Sequence, residues 1–339
     1  MPLRILATLF VLLQAAYVLH LIYIRKASTR VWLGERIGLM IFGLGFVFLV
    51  VEICFMLVAK SHHTSYSYAA KVWHYRYWEL NNLKYRDREF SKAEMEGKFK
   101  IAFLGDSFTA GAGIKDPKNR FSDLTANKLG ANYYGMNLGV NGLDTGLELA
   151  QLEAFPHQPD LLVYSWYIND IHQAAFRAGV MLGDFELKGA DYQPSLNPVN
   201  GFYSLNYLYW MFPHHEKGTS YFDFLKAAYR NSEALANHFQ DLQSMKAYCE
   251  SHQIQFAVVL FPWLSDVKAG HFATDPVKDW LKTAQVPYLS LSEKLAPIPA
   301  TDLIVNNNDA HPNEFVHQLV ADTLVQFLKS EVWKGNEPK

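Results

Sequence analysis

The chain has 339 residues, half of them apolar, with 31 Lys and Arg against 33 Asp and Glu for a formal net charge of −2. That balance argues against a general nucleic-acid binder. Two distant cysteines, Cys54 and Cys249, imply neither a disulfide framework nor a cysteine-based metal site.

Residues 5–24 carry no Lys, Arg, Asp or Glu, and residues 37–59 carry only Glu52. Each run is long enough to cross a bilayer. A cleaved signal peptide is the alternative for the first. Its apolar run is long for that role, no Ala-x-Ala site follows, and Arg25 and Lys26 stand where cleavage should fall. The reading is a two-helix transmembrane hairpin over residues 1–60. The loop between the spans carries Arg25, Lys26, Arg30 and Arg36 against Glu35, which places it in the cytoplasm and everything after Lys60 outside it. Glu52 is an ionisable group inside an apolar run, a functional hypothesis by default. At ~1.5 Å rise per residue its depth differs from that of Gln14 by only about 3 Å. A Gln14–Glu52 hydrogen bond across the hairpin is the simpler expectation. A contact with a membrane partner is the sharper one.

Residues 61–98 form a polar, aromatic linker. Its His62–His63 pair is a weak metal signal, its Trp and Tyr residues suit a membrane interface, and the run from Tyr85 to Lys98 is expected to be solvated. From residue 99 to 332 strands and helices alternate. Apolar strands are expected at residues 101–104, 133–138, 161–166, 256–261 and 286–291. Helices are expected near 121–129, 145–153 and 233–252, with a last one at 313–329 opening on Pro312 in its first turn. This alternation is that of an α/β fold with a parallel, doubly wound sheet. Residues 172–230 interrupt it with the aromatic run 201–212, for which a lid, a membrane-facing patch and plain core all remain open.

Four polar clusters sit where a parallel sheet would gather them at one edge. Gly105-Asp106-Ser107 follows the first strand, the cluster from Asn137 through Gly139 to Gly142 closes the second and Tyr167 to Asp170 follows the third, while Asn308-Asp309-Ala310-His311-Pro312 precedes the last helix. Ser as nucleophile, His as base, Asp to orient it, and Asn with backbone N–H groups for an oxyanion are what acyl transfer requires. Each has a plainer reading alone: Ser107 or Asp309 as a helix cap, Asn169 as a turn cap, His311 as a cap.

Over roughly residues 85–330 the chain resembles the SGNH (GDSL-type) hydrolases. Gly105-Asp106-Ser107-Phe108 matches the nucleophile block, Gly142 the second-block glycine, Asn169 the asparagine of the third, and Asp309 with His311 the closing block. Tyr167 stands where the family often has Gly. The Asp-x-His spacing replaces the common Asp-x-x-His, which leaves Asn308 three before His311. The resemblance implies a flavodoxin-like three-layer sandwich and no cofactor or metal. It also implies a catalytic set of Ser107, Asp309 and His311, with an oxyanion hole of Ser107, Gly142 and Asn169. Asp-x-His occurs in relatives that handle acetyl groups on cell-envelope polysaccharides. The implied activity is therefore a serine esterase or acyltransferase on O-acyl, above all O-acetyl, esters of envelope glycans. It would act from a multi-pass position in the cell membrane with the catalytic domain facing the periplasm or exterior. A lipid or lysophospholipid esterase is the second expectation. A membrane-tethered assembly subunit with a degraded site is the third.

Overall fold

The computed structural model describes residues 12–17, 19–20, 32–62, 64–182, 197–212 and 221–338. It divides into two units, Met1–Arg76 with Ala190–His214, and Tyr77–Gly189 with His215–Lys339.

In the first unit the helix Trp32–Met56 contains a 21-residue stretch, Arg36–Met56, long and apolar enough to cross a bilayer. It coincides with the second expected span. Most of the first expected span lies outside the described residues, as do Arg25, Lys26 and Arg30. The helical residues 12–17 bring the Tyr17 ring against Gly38, where an added Cβ would come within 2.8 Å of Tyr17 Cε1. Glu52 does not find its partner in Gln14. Its carboxylate accepts from the backbone N–H groups of Tyr203 (2.7 Å) and Ser204 (3.1 Å) and from the Ser204 hydroxyl. Those partners stand 151 and 152 residues along the chain, beyond any pattern a local reading can detect. His62 is engaged locally, its Nδ1 accepting from the Thr64 N–H at 3.0 Å.

The second unit is built on five parallel strands: β1 (Phe99–Gly105), β2 (Tyr133–Gly139), β3 (Leu161–Trp166), β4 (Gln255–Leu260) and β5 (Tyr288–Ser290), in the order β2-β1-β3-β4-β5. Ile101, Ala102, Phe103 and Leu104 are all fully buried because both faces of the sheet are covered. Ile101 and Phe103 join Val163, Val259, Val316 and Val320 on one face, and Ala102 and Leu104 join Met136, Tyr164, Leu242 and Val277 on the other. This three-layer arrangement has the doubly wound order that turns back at its first strand, and ligands bind at such a switch point outside the carboxyl ends.

Two local expectations give way to the structure. The last helix runs Glu314–Phe327 with Asn313 as its N-cap, accepting from Val316 N–H at 3.1 Å. Pro312 instead ends a short antiparallel hairpin, β6 (Ile304–Asn306) with β7 (Asp309–Pro312). That helix buries Val316, Val320, Ala321 and Leu324, while Phe315 points outward. The run from Arg86 onward is not solvated throughout: Arg86 is buried and donates to the carbonyls of Tyr77, Ala110, Gly111 and Ile114. A long carbonyl-binding side chain looks like a surface residue in sequence, and only the loop it grips shows otherwise.

The end of β2 meets the turn after β1 so closely that a Cβ on Gly139 would lie 2.1 Å from the Ala110 nitrogen. Backbone cannot yield as a flexible side chain can. Gly139→Ala is expected to lower the urea unfolding free energy by about 1–3 kcal/mol, the usual cost of overpacking. An unchanged midpoint would show that the two segments can part without loss.

Candidate active site

β1 delivers Ser107 as the first residue of the short helix Ser107–Ala110. Asp106, not Ser107, is the N-cap, its Oδ1 accepting from Phe108 N–H at 2.8 Å. The Ser107 hydroxyl is therefore not the cap, and its Oγ also lies 3.4 Å from Asp106 Oδ2. The hairpin β6–β7 brings His311 to it, with Nε2 2.8 Å from Ser107 Oγ. Asp309 Oδ1 lies 2.5 Å from His311 Nδ1 and also accepts from the His311 N–H at 3.2 Å. With a carboxylate at Nδ1 the imidazole carries its proton there, and Nε2 is left to accept from Ser107. Asn308 N–H instead donates to Asn306 Oδ1 at 2.9 Å, inside the hairpin turn. Of the two candidates, Asp309 is the one on the imidazole.

Asn169 lies in the single helical turn Ile168–Ile171 after β3. Its Nδ2 donates to Asp106 Oδ2 at 3.0 Å. An amide nitrogen carries two protons, so one remains for another acceptor. Asp170 fixes that turn by accepting from Tyr167 N–H (3.0 Å) and from the Tyr164 hydroxyl (2.6 Å). Gly142 lies in an exposed turn after β2 with φ +78°, a conformation that favours glycine. Its turn is held at both ends. Val140 N–H donates to the Gly105 carbonyl at 3.1 Å, and Asp144 caps the helix Thr145–Ala154 while also accepting from Gln173 N–H.

The sequence placed Asn137 among the polar clusters without a role, and gave no sign that Arg86 and Arg120 help to hold the segment that carries Ser107. Asn137 of β2 donates to the Thr109 carbonyl (2.6 Å) and to Ser122 Oγ (2.7 Å), and its own N–H goes to Asp87 (2.7 Å). Arg86 grips the loop after Ser107, and the buried Arg120 pairs with Asp123 at 2.8 Å and donates to the Arg86 carbonyl. Burial and the charge of Arg120 lower the Arg86 pKa to about 10, which leaves it charged at neutral pH. The ring of Tyr167 stacks on Phe108 with centroids 4.0 Å apart, and Phe108 meets the His311 ring edge-on at 5.6 Å. The Asp of Gly-Asp-Ser was the one available signal, since a side chain just before a helix start commonly caps it.

Electrostatics divide the ionisable groups by role. Burial works against the His311 imidazolium, but the Asp309 hydrogen bond and charge, with the charge of Asp106, outweigh it and hold the pKa above the ordinary value. Burial raises the Asp106 carboxyl, opposed by its bonds from Phe108 and Asn169. Deeper in, burial and neighbouring carboxyls push Glu148 and Asp170 well up, so the acids beneath the site favour the neutral form. His238 and His317 are lowered to about 3, chiefly by burial, and stay neutral. Their accepting contacts fit that state: Trp166 Nε1 donates to His238, and Phe121 N–H donates to His317, each at 3.0 Å.

No protein-family model matches the chain, and no curated protein matches it. Among solved structures it is similar to a lipase/acylhydrolase from Enterococcus faecalis, at 15% identity and a TM-score of 0.44 over 71% of this chain and 98% of that one. It is similar to the psychrotrophic esterase EstA from Pseudoalteromonas sp., at 14% identity and a TM-score of 0.43 over 69% and 99% of the two chains. An acetyl xylan esterase, AlAXEase, aligns at 13% identity and a TM-score of 0.42 over 67% and 98%.

A base must be neutral to accept a proton, so kcat/KM is expected to rise with pH through a pKa above about 6.5, the ordinary imidazole value. Asp309→Asn removes the charge that raises it. The limb should move to lower pH and kcat should fall by about 10⁴-fold, the size found when the orienting Asp of a triad becomes Asn. Asn308→Ala should leave kcat nearly unchanged and cost about 1 kcal/mol of stability. An Asp309→Asn enzyme with an unmoved limb and intact kcat would make Ser107 and His311 a dyad.

Proposed function

We propose that the chain is a serine esterase or acyltransferase of the SGNH type. The observation that carries the proposal is the continuous relay from Ser107 Oγ to His311 Nε2 (2.8 Å) and from His311 Nδ1 to Asp309 Oδ1 (2.5 Å). The match of Gly105 to Phe108, Gly142, Asn169 and Asp309 with His311 to that family's blocks supports it.

In the proposed reaction Ser107 Oγ attacks the ester carbonyl carbon as its proton passes to His311 Nε2. Asp309 stabilises the imidazolium that forms. The oxyanion is held by the Ser107 N–H, which at a helix N-terminus has no intrahelical acceptor, by the Gly142 N–H and by the remaining Asn169 amide proton. The carbon–oxygen bond to the leaving alcohol breaks as that oxygen takes the proton from His311, leaving acyl-Ser107. Water, or a sugar hydroxyl, then gives its proton to His311 and attacks the acyl carbon, and Ser107 leaves with that proton. No step needs a metal or a redox cofactor.

The proposed substrate is a short O-acyl, above all O-acetyl, ester on a cell-envelope glycan. The Asp-x-His spacing supports that class, and the proposed multi-pass topology puts the site on the side where such glycans lie. The basic loop between the spans supports that orientation. A cysteine at Ser28 should resist a membrane-impermeant thiol reagent in intact cells while one at Glu337 reacts. The reverse pattern would put the catalytic unit in the cytoplasm and exclude envelope glycans.

The reaction itself is tested with the purified protein on acetyl, butyryl and long-chain esters, with a fluorophosphonate as label. Ser107→Ala should lose both turnover and labelling while keeping its melting temperature. Asn169→Ala should lower kcat by roughly 10²–10³-fold with little change in KM. A Ser107→Ala protein that retains most of its activity would refute the mechanism, and a pure KM effect at Asn169 would make it a binding residue only.

A further inference from the structure

The helix Tyr203–Met211 is inside out for a protein in water. Its polar residues Ser204 and Asn206 are buried, at 7% and 0% exposure, while Leu205 (38%), Leu208 (44%) and Phe212 (60%) face outward at helical spacing. The polar groups of Ser204 and Asn206 are engaged. Ser204 bonds Glu52, Asn206 Oδ1 accepts from Tyr68 N–H at 2.8 Å, and Asn206 Nδ2 donates to the Tyr66 carbonyl at 3.3 Å. An outward apolar stripe over an inward polar seam is the distribution that suits an apolar solvent.

The place of this helix in its unit agrees. Phe202 meets Phe48 edge-on at 5.3 Å and Tyr207 meets Phe55 at 5.1 Å. The helix thus runs along the last two turns of Arg36–Met56, a depth of about 10 Å at 1.5 Å per residue. Outward apolar residues continue on that longer helix, with Leu44 at 64% and Val47 at 59% exposure. In hydrocarbon the first N–H groups of a helix need acceptors supplied by protein. Phe202 N–H donates to the Pro198 carbonyl, and Tyr203 and Ser204 N–H donate to Glu52. The carboxylate at this N-terminus also faces the positive end of the helix dipole.

We propose that helix Tyr203–Met211 is a membrane-inserted helix, docked on Arg36–Met56 through Glu52, whose Leu205–Leu208–Phe212 face is covered by lipid acyl chains. The proposal rests on the reading that Arg36–Met56 spans the bilayer, and its test separates the two. Leu208→Cys and Val47→Cys are made singly in full-length protein carrying Cys54→Ser, because Cys54 is exposed and Cys249 buried. Each is labelled with an environment-sensitive fluorophore and reconstituted into phosphatidylcholine–phosphatidylglycerol vesicles. Quenching by doxyl-labelled phosphatidylcholine is compared with quenching by aqueous iodide.

Both sites should be quenched by the lipid to a similar extent and hardly by iodide. Adding Glu52→Ala should cut the lipid quenching at position 208 by at least half and leave position 47 unchanged. Iodide quenching at 208 with lipid quenching at 47 would overturn the inference and leave the span intact. Iodide quenching at both would overturn both. Shielding of 208 from both quenchers would mean that a second copy of the chain covers the stripe, and lipid would be the wrong occupant. Unchanged lipid quenching at 208 in the Glu52→Ala protein would remove Glu52 as the docking group.

Discussion

Asp106 is the residue on which the site depends. One carboxylate oxygen caps the helix Ser107–Ala110 through Phe108 N–H, and the other holds the Asn169 amide at 3.0 Å. It thereby joins the carboxyl ends of β1 and β3, neighbours in the sheet although Ser107 and Asn169 are 62 positions apart. The cap also spares Ser107 that role, because the helix N-terminus takes its acceptor from Asp106, and the Ser107 hydroxyl lies within reach of both His311 Nε2 and Asp106 Oδ2. A buried carboxylate beside a nucleophile is costly unless it is hydrogen-bonded. The donors from Phe108 and Asn169, with the charge of His311 nearby, offset that cost.

Around this joint the chain uses buried polar groups as fasteners. Asn137 and Arg86 act on backbone carbonyls of the segment from Thr109 to Ile114, and Arg120 in turn holds the Arg86 carbonyl, so the loop after Ser107 is fixed through its own main chain. Such groups are worth more together than singly, since removing one strands its partners without water. Glu148 and Asp170 lie beneath in a setting that favours the neutral acid, so less negative charge accumulates under the place where an oxyanion would form. The same economy governs His238 and His317, neutral acceptors that tie layers of the fold together.

The first unit follows the opposite rule. There Glu52, Ser204 and Asn206 turn toward protein and leucines turn away from it. A polar seam of this kind fixes the register of two helices that apolar surface alone would let slide.

The strands were legible because a parallel sheet covered on both faces demands unbroken apolar runs, and Ile101 to Leu104 and Leu161 to Trp166 are such runs. Ser107, Asn169 and His311 were legible because each is a polar residue at a strand end or before a helix. Other features carried no local pattern. The helix His271–Thr283 holds Pro276 in its interior, and the hairpin of β6 and β7 has too few residues for an alternation to show. The choice of Asp309 over Asn308 rested on the resemblance and on the chemistry of a carboxylate, and the turn that aims each side chain puts Asp309 on the imidazole. Composition, apolar periodicity and the order of polar clusters thus determined the class of fold and the chemistry it gathers. The partners of Glu52, Asp106 and Arg86 were decided only by tertiary structure, because hydrogen bonds depend on distances that folding creates between residues remote in sequence or aimed by a turn.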